Sequence, residues 1–121
     1  MLSPTVKWAC PEEQLTLTCI ANPSQSSHLT WTVSLPGENL TEIRNVPLDG
    51  DGELILKSFR DNPFNVTFNF MRASKNETHP LQSELQIDRV DVNINGTRIN
   101  CLRPNDPDPN ITFIIHVKGG N

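Results

Sequence analysis

Apolar and polar side chains alternate along most of this chain, with a period of two residues. Runs of this kind cover eight segments, which are 5–9, 14–21, 28–34, 53–59, 63–70, 83–90, 96–103 and 110–118. A period of two places successive side chains on opposite faces of a β-strand, whereas no apolar pattern at helical spacing runs beyond two turns. The pattern therefore predicts an all-β domain of eight or nine short strands.

The segments between these runs are rich in residues that form turns. Examples are NPSQSS after the second run, PGEN after the third and NDPDPN before the last. Most of the ten prolines lie in or beside such segments, where a missing N–H removes no hydrogen bond from a sheet. Short strands separated by turns in 121 residues are typical of an antiparallel sandwich or barrel.

The length of the chain is consistent with one domain. A chain of 121 residues and 13.6 kDa can build a single core and leaves no room for a second. We expect one domain over 1–121, with 5–118 ordered and 119–121 forming a linker or tail. The N-terminal MLSPTVKW lacks the charged-then-apolar pattern of a signal peptide, so Met1 is interpreted as an added start and the chain as a domain taken from a longer protein.

The charge of the chain excludes some classes of partner. The net charge is −4 and the isoelectric point is near 5.2, and no cluster of lysine and arginine is present, so we predict no nucleic-acid binding. No run approaches the roughly 18 apolar residues of a membrane span, so we predict no direct membrane contact for this fragment.

Five N-glycosylation sequons of the Asn-x-Thr type bear on the compartment. They begin at Asn39, Asn65, Asn76, Asn95 and Asn110. Together with the cysteines they favour the secretory pathway, and hence an extracellular protein at the cell surface or secreted; accidental sequons in a cytosolic protein are the weaker alternative. In the run from Phe64 to Phe70 the apolar side chains share one face, which predicts that Asn65, Thr67 and Asn69 point outward. A glycan on Asn65 is therefore expected to cover the outer surface of the sheet to which this strand belongs.

The parity of the runs predicts which side chains form the core. Leu15, Leu17, Cys19 and Ala21 share one face of the second run, and Leu29, Trp31 and Val33 share one face of the third. Ile99 and Cys101 share a face of the seventh run. Cys101 is therefore able to meet Cys19 across two sheets, next to a tryptophan.

These residues resemble an immunoglobulin-superfamily domain over nearly the whole chain. The resemblance rests on the stretches Leu17-Thr-Cys19, Leu29-Thr-Trp31 and Ser83 to Val90, and on Gly96 followed by Cys101. It implies an immunoglobulin-like β-sandwich with Greek-key connections, a disulfide between Cys19 and Cys101, and Trp31 as the core residue packed on it. The spacing of 82 residues between the cysteines implies C′ and C″ strands, as in a variable-like or intermediate set. Cys10-Pro-Glu-Glu is similar to the start of immunoglobulin domains in invertebrate receptor and adhesion ectodomains.

Some family features are absent. Asn95 and Ile99 stand where the family usually has an Asp and a Tyr, so the tyrosine corner is missing. The last run, Ile111 to Lys118, has no aromatic-Gly-x-Gly bulge. We therefore do not expect the pairing that antibody chains use.

Cys10 is left over by this pairing. Three cysteines allow three pairings. Cys10 and Cys19 lie on successive strands joined by a short turn, whereas Cys19 and Cys101 match the bridge between sheets that the resemblance implies. The alternatives for Cys10 are a buried free thiol near Trp8, an intermolecular bridge, or a partner outside the fragment.

No arrangement of residues predicts catalysis or a metal. His28, His79 and His116 are isolated from one another and from any cysteine at metal-ligand spacing, so we predict no enzyme, no cofactor and no metal site. The stretch LDGDGE over 48–53 has three alternating carboxylates. It lacks the full calcium-binding series and is interpreted as a hairpin turn between strands C′ and C″.

The resemblance implies an extracellular recognition or adhesion module of a cell-surface receptor or adhesion protein, whose parent is membrane-anchored. The partner is a protein, either a different one or a second copy of the chain. We predict that the partner binds the sheet of strands C, F and G, which are the runs 28–34, 96–103 and 110–118, with the loop 104–109 as the rival site. The partner-binding residues are Thr32, Asn100, Leu102, Ile114 and His116. The alternatives are a passive spacer between domains and, third, a carbohydrate-binding domain, for which Trp8 is the only tryptophan outside the core.

Overall fold

The computed structural model describes residues 4–21, 28–37, 41–47, 55–71, 74–76, 79–103 and 109–119. These residues contain ten strands and one short 3₁₀ helix. The strands are β1 (Thr5–Ala9), β2 (Leu15–Ala21), β3 (His28–Ser34), β4 (Thr41–Pro47), β5 (Ile55–Phe59), β6 (Phe68–Met71), β7 (Ser74–Asn76), β8 (His79–Ile87), β9 (Arg98–Leu102) and β10 (Asn110–Val117), and the helix is Val92–Ile94.

The strands form two sheets. The first sheet has the order β1-β10-β9-β3-β4, and the second has the order β2-β8-β6-β5, with β7 also paired to β8. The pairing of β1 with β10 is parallel, and the other ladders are antiparallel. The core side chains of both sheets face one another, so the all-β fold predicted from the alternation is confirmed, as is the β-sandwich that the resemblance implies.

The described residues contain ten strands rather than eight or nine, because β4 and β7 were not predicted. On β4 the inward positions opposite Val33 and Trp31 carry Glu42 and Arg44 instead of apolar residues. These two side chains form an ion pair, and the guanidinium of Arg44 lies 6.0 Å from the ring centre of Phe70. The inward side of β4 is thus partly polar, and the apolar alternation that marks the other strands is lost.

The segment before β6 differs from its prediction as a strand. Asn62 Oδ1 accepts hydrogen bonds from the backbone N–H groups of Phe64 and Val66, at 3.2 and 3.3 Å, and Asn62 Nδ2 donates to the carbonyl of Val66 at 2.7 Å. The side chain therefore binds backbone groups that a strand would pair with its neighbour. Asn65 has a φ of 55°, in the left-handed region, and the strand begins only at Phe68.

The predicted parity of this segment holds for its apolar residues. Val66, Phe68 and Phe70 are buried. Asn69 lies on the outer side of β6, opposite Gln86, as predicted, but it is buried there. It accepts a hydrogen bond from Ser58 Oγ at 2.7 Å and donates one to Asp88 Oδ1 at 2.6 Å, and these contacts satisfy its polar atoms without water.

The predicted hairpin turn between strands C′ and C″ falls between β4 and β5. The segment 48–53 itself lies outside the described residues. However, β4 pairs with β3 in the first sheet and β5 pairs with β6 in the second. The two flanking strands therefore belong to different sheets and do not pair with each other.

The core is held together across the two sheets by a disulfide and a tryptophan. Cys19 on β2 and Cys101 on β9 form a disulfide with their Cα atoms 6.4 Å apart, the pairing that the family resemblance implies. Trp31 pairs in register with Cys101 and is fully buried, as are Phe68 and Phe70 on the other sheet. Each large apolar side chain of this kind stabilises the fold by about 1.5–3 kcal/mol through its removal from water.

Candidate functional site

The candidate functional site is the outer surface of the first sheet, which we call the front face. Its side chains lie at the positions that alternate with the buried residues of each strand. The front face consists of Val6 and Trp8 on β1, Thr112, Ile114 and His116 on β10, Arg98, Asn100 and Leu102 on β9, Thr30, Thr32 and Ser34 on β3, and Ile43 and Asn45 on β4.

The register aligns these residues in rows across the sheet. Thr112 is opposite Asn100, which is opposite Thr32, and Thr32 is opposite Ile43. The five residues predicted from the sequence to bind a partner all lie on the front face. Leu102 is exposed, and the side chains of the other four are half-buried.

Exposed apolar side chains are concentrated on the front face. Trp8 is 62% exposed, Ile43 60%, Val6 45% and Leu102 42%. The described part of the chain has six large hydrophobic residues with this degree of exposure, and four of them are on this one surface. Isolated surface apolar residues are ordinary, but their concentration on one sheet face is typical of a binding surface.

The outer surface of the second sheet, which we call the back face, gives the contrast. Its described strand positions are mostly polar, namely Thr16, Thr18 and Ile20 on β2, Gln82, Glu84 and Gln86 on β8, Asn69 on β6 and Ser58 on β5. Ile20 is the one exposed large hydrophobic residue among them. The back face is therefore the poorer candidate for an apolar contact.

The centre of the front face is polar and ordered by hydrogen bonds between strands. Thr112 Oγ1 donates to Asn100 Oδ1 at 2.7 Å, and Thr30 Oγ1 donates to Asn45 Oδ1 at 2.8 Å. Each bond holds one amide side chain in a single orientation. Because these side chains are already ordered, binding of a partner costs less conformational entropy.

The front face carries little charge. Arg98 is its single permanently charged residue, although the chain as a whole has a net charge of −4. A surface without carboxylates can be covered by a partner at a small desolvation cost. It also allows two copies of the same surface to meet without strong repulsion.

Sequence reasoning missed the three most exposed apolar residues of the front face, Val6, Trp8 and Ile43. The alternation in β1 already placed Val6 and Trp8 on one side, but it did not reveal that β1 pairs with β10 in parallel. That pairing aligns Trp8 with His116, and the two rings pack with centroids 4.9 Å apart at an angle of 41°. Ile43 was missed because β4 itself was not predicted.

The sequons occupy different surroundings. Asn65 is exposed in the turn before β6, and Asn110 is exposed at the first position of β10, opposite Leu102 at the border of the front face. Asn95 is half-buried, and its Oδ1 accepts a hydrogen bond from the backbone N–H of Val117 at 2.9 Å. Asn76 lies in β7, and Asn39 lies outside the described residues.

Cys10 is a half-buried free thiol just after β1. Its hydrogen bond to Glu13 raises the pKa of the Cys10 thiol, with smaller contributions from burial and from the negative charge of Glu13, while Lys118 opposes the shift. The backbone N–H of Cys10 also donates to Glu13 Oε1 at 2.9 Å. A raised pKa keeps the thiol protonated and weakly nucleophilic at neutral pH.

Neither a metal cluster nor a membrane span is found in the described ranges. No group of three or more His, Cys, Asp or Glu side chains there is placed to hold a metal ion. No helix among those residues is long and apolar enough to cross a bilayer. The acidic stretch 48–53 lies outside these ranges.

With two packed sheets, a disulfide between β2 and β9 and a tryptophan beside it, the chain has an immunoglobulin-like fold. A solved structure supports this. It comes from a study of "multimeric cell-adhesive interactions of VGSC beta subunits", and it matches with a TM-score of 0.57 and 15% sequence identity, over 94% of this chain and 91% of that chain. No protein-family model matches the chain, and no curated protein matches it either.

Proposed function

We propose that this chain is an extracellular adhesion or recognition module that binds a protein partner through its front face, and that it is a binding domain rather than an enzyme. The observation that carries the proposal is the concentration of Val6, Trp8, Ile43 and Leu102 around a polar centre that is already ordered. Interfaces between proteins combine apolar anchors with a polar surround in this way.

The extracellular location is supported by the disulfide and the sequons. Disulfides persist in oxidising compartments, and N-glycans are added in the secretory pathway. The similar structure was studied for cell-adhesive interactions, and the same role is proposed here for this chain. We further propose that residues 5–118 form one domain and that the protein to which this domain belongs is membrane-anchored.

A variable-like immunoglobulin domain is the subtype that we favour. β4 adds a fifth strand to the sheet of the front face, at the place that strand C′ takes in variable-like domains. β5, at the place of strand C″ in the chain, instead lies at the edge of the second sheet. This departure is the reason that an intermediate set remains the alternative.

The expected affinity is modest. A specific interface covers about 800 Å² on each partner, and its binding energy is concentrated in a few aromatic or arginine residues. The front face offers Trp8 and Arg98 in those roles. Because Trp8 lies on the edge strand β1 and not at the centre, it is only partly shielded from water in a complex, which limits its contribution.

Sedimentation velocity of the secreted, glycosylated domain over a concentration series tests the proposal for self-association. For a different partner, binding of the multimerised domain to cell surfaces is the assay. In both we compare the wild type with Trp8→Ser combined with Ile43→Ser, and with the back-face control Ile20→Ser. Association that is lost in the front-face variant and kept in the control supports the proposal, and equal behaviour of the two variants contradicts it.

A further inference from the structure

A groove of about 210 Å³ lies at one end of the sandwich, away from the front face. It is lined by Glu12 in the turn between β1 and β2, by Phe64 and Asn65 before β6, and by Arg89, Val90 and Asp91 after β8. Three separate parts of the chain thus meet at one cavity. Two carboxylates and one guanidinium give the lining hydrogen-bonding groups, and the half-buried Phe64, which packs against the core, adds an apolar surface.

Hydrogen bonds fix the walls of this groove. The backbone N–H of Glu12 donates to the carbonyl of Val90 at 2.8 Å, and the N–H of Val90 donates to the carbonyl of Glu13 at 2.8 Å. The side chains of Arg89 and Glu12 form an ion pair. Asp91 Oδ1 accepts from the backbone N–H of Asn93 at 2.8 Å. The groove therefore exists before any ligand enters it.

Asn65 belongs to this lining and is also the first residue of the sequon Asn65-Val66-Thr67. Its side chain is exposed, and its backbone is held in the left-handed conformation by the turn around Asn62. A sugar attached to Asn65 therefore starts at the groove itself. Asn110, which is also an exposed sequon asparagine, does not line the groove.

We propose that Asn65 is N-glycosylated and that its first N-acetylglucosamine lies in this groove as an intramolecular ligand. In the transfer, Nδ2 of Asn65 loses a proton and forms a bond to the anomeric carbon of a lipid-linked oligosaccharide. The bond from that carbon to the diphosphate oxygen breaks, and the lipid diphosphate leaves with the proton. The donor is supplied by the secretory pathway, so the proposal rests on the extracellular location proposed above.

The lining matches the chemistry of this sugar. Glu12 and Asp91 accept hydrogen bonds from hydroxyl groups, and Arg89 donates to the acetamide or hydroxyl oxygens. The ring of Phe64 offers an apolar surface to the C–H groups of the sugar or to its acetyl methyl group. The bound sugar contacts all three segments of the groove and therefore resists their separation when the domain unfolds.

The experiment begins with the domain secreted from a glycosylating host. Mass spectrometry maps the occupied sequons, and an endoglycosidase trims each high-mannose glycan to a single N-acetylglucosamine. NMR then measures nuclear Overhauser effects between the acetyl methyl of the sugar on Asn65 and the ring of Phe64. We expect these effects for Asn65 and expect them to weaken in a variant with Glu12→Gln and Arg89→Gln.

Thermal unfolding gives a second measurement. Asn65→Gln should lower the Tm of the trimmed glycoprotein by about 3–5 °C, the shift expected when a domain of 121 residues loses the stabilisation of about one net hydrogen bond. The same substitution in unglycosylated protein gives the reference for the side chain itself. Asn110→Gln is the matched control and should leave the Tm unchanged.

Two results overturn the inference. One is an Asn65 that carries no glycan while Asn110 does, which leaves the extracellular location intact. The other is an occupied Asn65 whose sugar shows no Overhauser effects to Phe64, whatever the Tm. The absence of a glycan from every sequon would instead count against the extracellular location as well.

Discussion

Trp31 Nε1 donates a hydrogen bond to Ser83 Oγ at 2.9 Å, and this bond joins the two sheets inside the core. Both residues are fully buried, and Ser83 Oγ in turn donates to the carbonyl of Met71 at 3.0 Å. The family resemblance implies a buried tryptophan at this place but gives no partner for its indole N–H. The structure supplies that partner from the opposite sheet.

Replacement of Ser83 by alanine should lower the free energy of unfolding by about 1–3 kcal/mol, because it leaves the buried indole N–H of Trp31 without its acceptor. Urea unfolding followed by tryptophan fluorescence measures the change. Ser34→Ala, on the half-exposed outer side of β3, is the control and should change stability by less than about 0.5 kcal/mol. Equal effects of the two substitutions would show that the buried hydrogen bond contributes nothing.

Loss of the disulfide should have a larger effect. Replacing Cys19 and Cys101 together by alanine should lower stability by about 3–5 kcal/mol, since the bridge joins residues 82 positions apart and restricts the unfolded chain. Thermal unfolding measures it, with Cys10→Ser as the control that keeps the bridge. Peptide mapping without reduction should link Cys19 to Cys101, and a peptide that links Cys10 to either of them would contradict the pairing.

The thiol of Cys10 should react slowly with alkylating reagents. Its hydrogen bond to Glu13 raises the pKa, so at a given pH near 8 less thiolate is present than for an ordinary cysteine. Glu13→Gln removes the carboxylate charge and should lower the pKa, which shifts the pH profile of alkylation to lower pH. Mass spectrometry of the labelled native protein gives the rate at each pH. An unchanged profile would mean that Glu13 does not control the thiol.

The sequence predicts the buried faces of this fold well, because parity along a strand depends only on local residues. Leu17, Cys19, Leu29, Trp31 and Val33 are all buried, as their alternation indicated. The features that the alternation could not predict depend on contacts with residues distant in the chain. The burial of Asn69 depends on Ser58 and Asp88, and the inward side of β4 depends on an ion pair.

The candidate functional site was likewise predicted only in part. Alternation placed Thr32, Asn100, Leu102, Ile114 and His116 on one side of their strands, and the structure puts all five on one face. The contribution of β1 could not be predicted, because a parallel pairing between the first and last strands leaves no local signal. The groove at Asn65 was also hidden, since it depends on the side chain of Asn62 ending the strand pattern early.

The last prediction concerns partner binding through Leu102 and Ile114. Both side chains lie on the front face, where Leu102 is opposite Asn110 and Ile114 is opposite Arg98. Leu102→Asp combined with Ile114→Asp should leave the fold intact, because the two residues alternate with the buried Cys101, Phe113 and Ile115. The same substitutions should abolish association, because each replaces an apolar contact in the interface with a carboxylate that is costly to remove from water.

Circular dichroism and thermal unfolding establish whether the double variant folds. Sedimentation velocity over a concentration series then measures its association. Ile20→Asp on the back face is the matched control, since it adds a carboxylate at a similarly exposed apolar residue. Unchanged association in a folded front-face variant would move the binding site to the loops, with 104–109 as the first segment to examine. An unfolded variant would instead show that the front face needs these two apolar residues for stability, and single substitutions of Trp8 and Ile43 would then decide whether it binds.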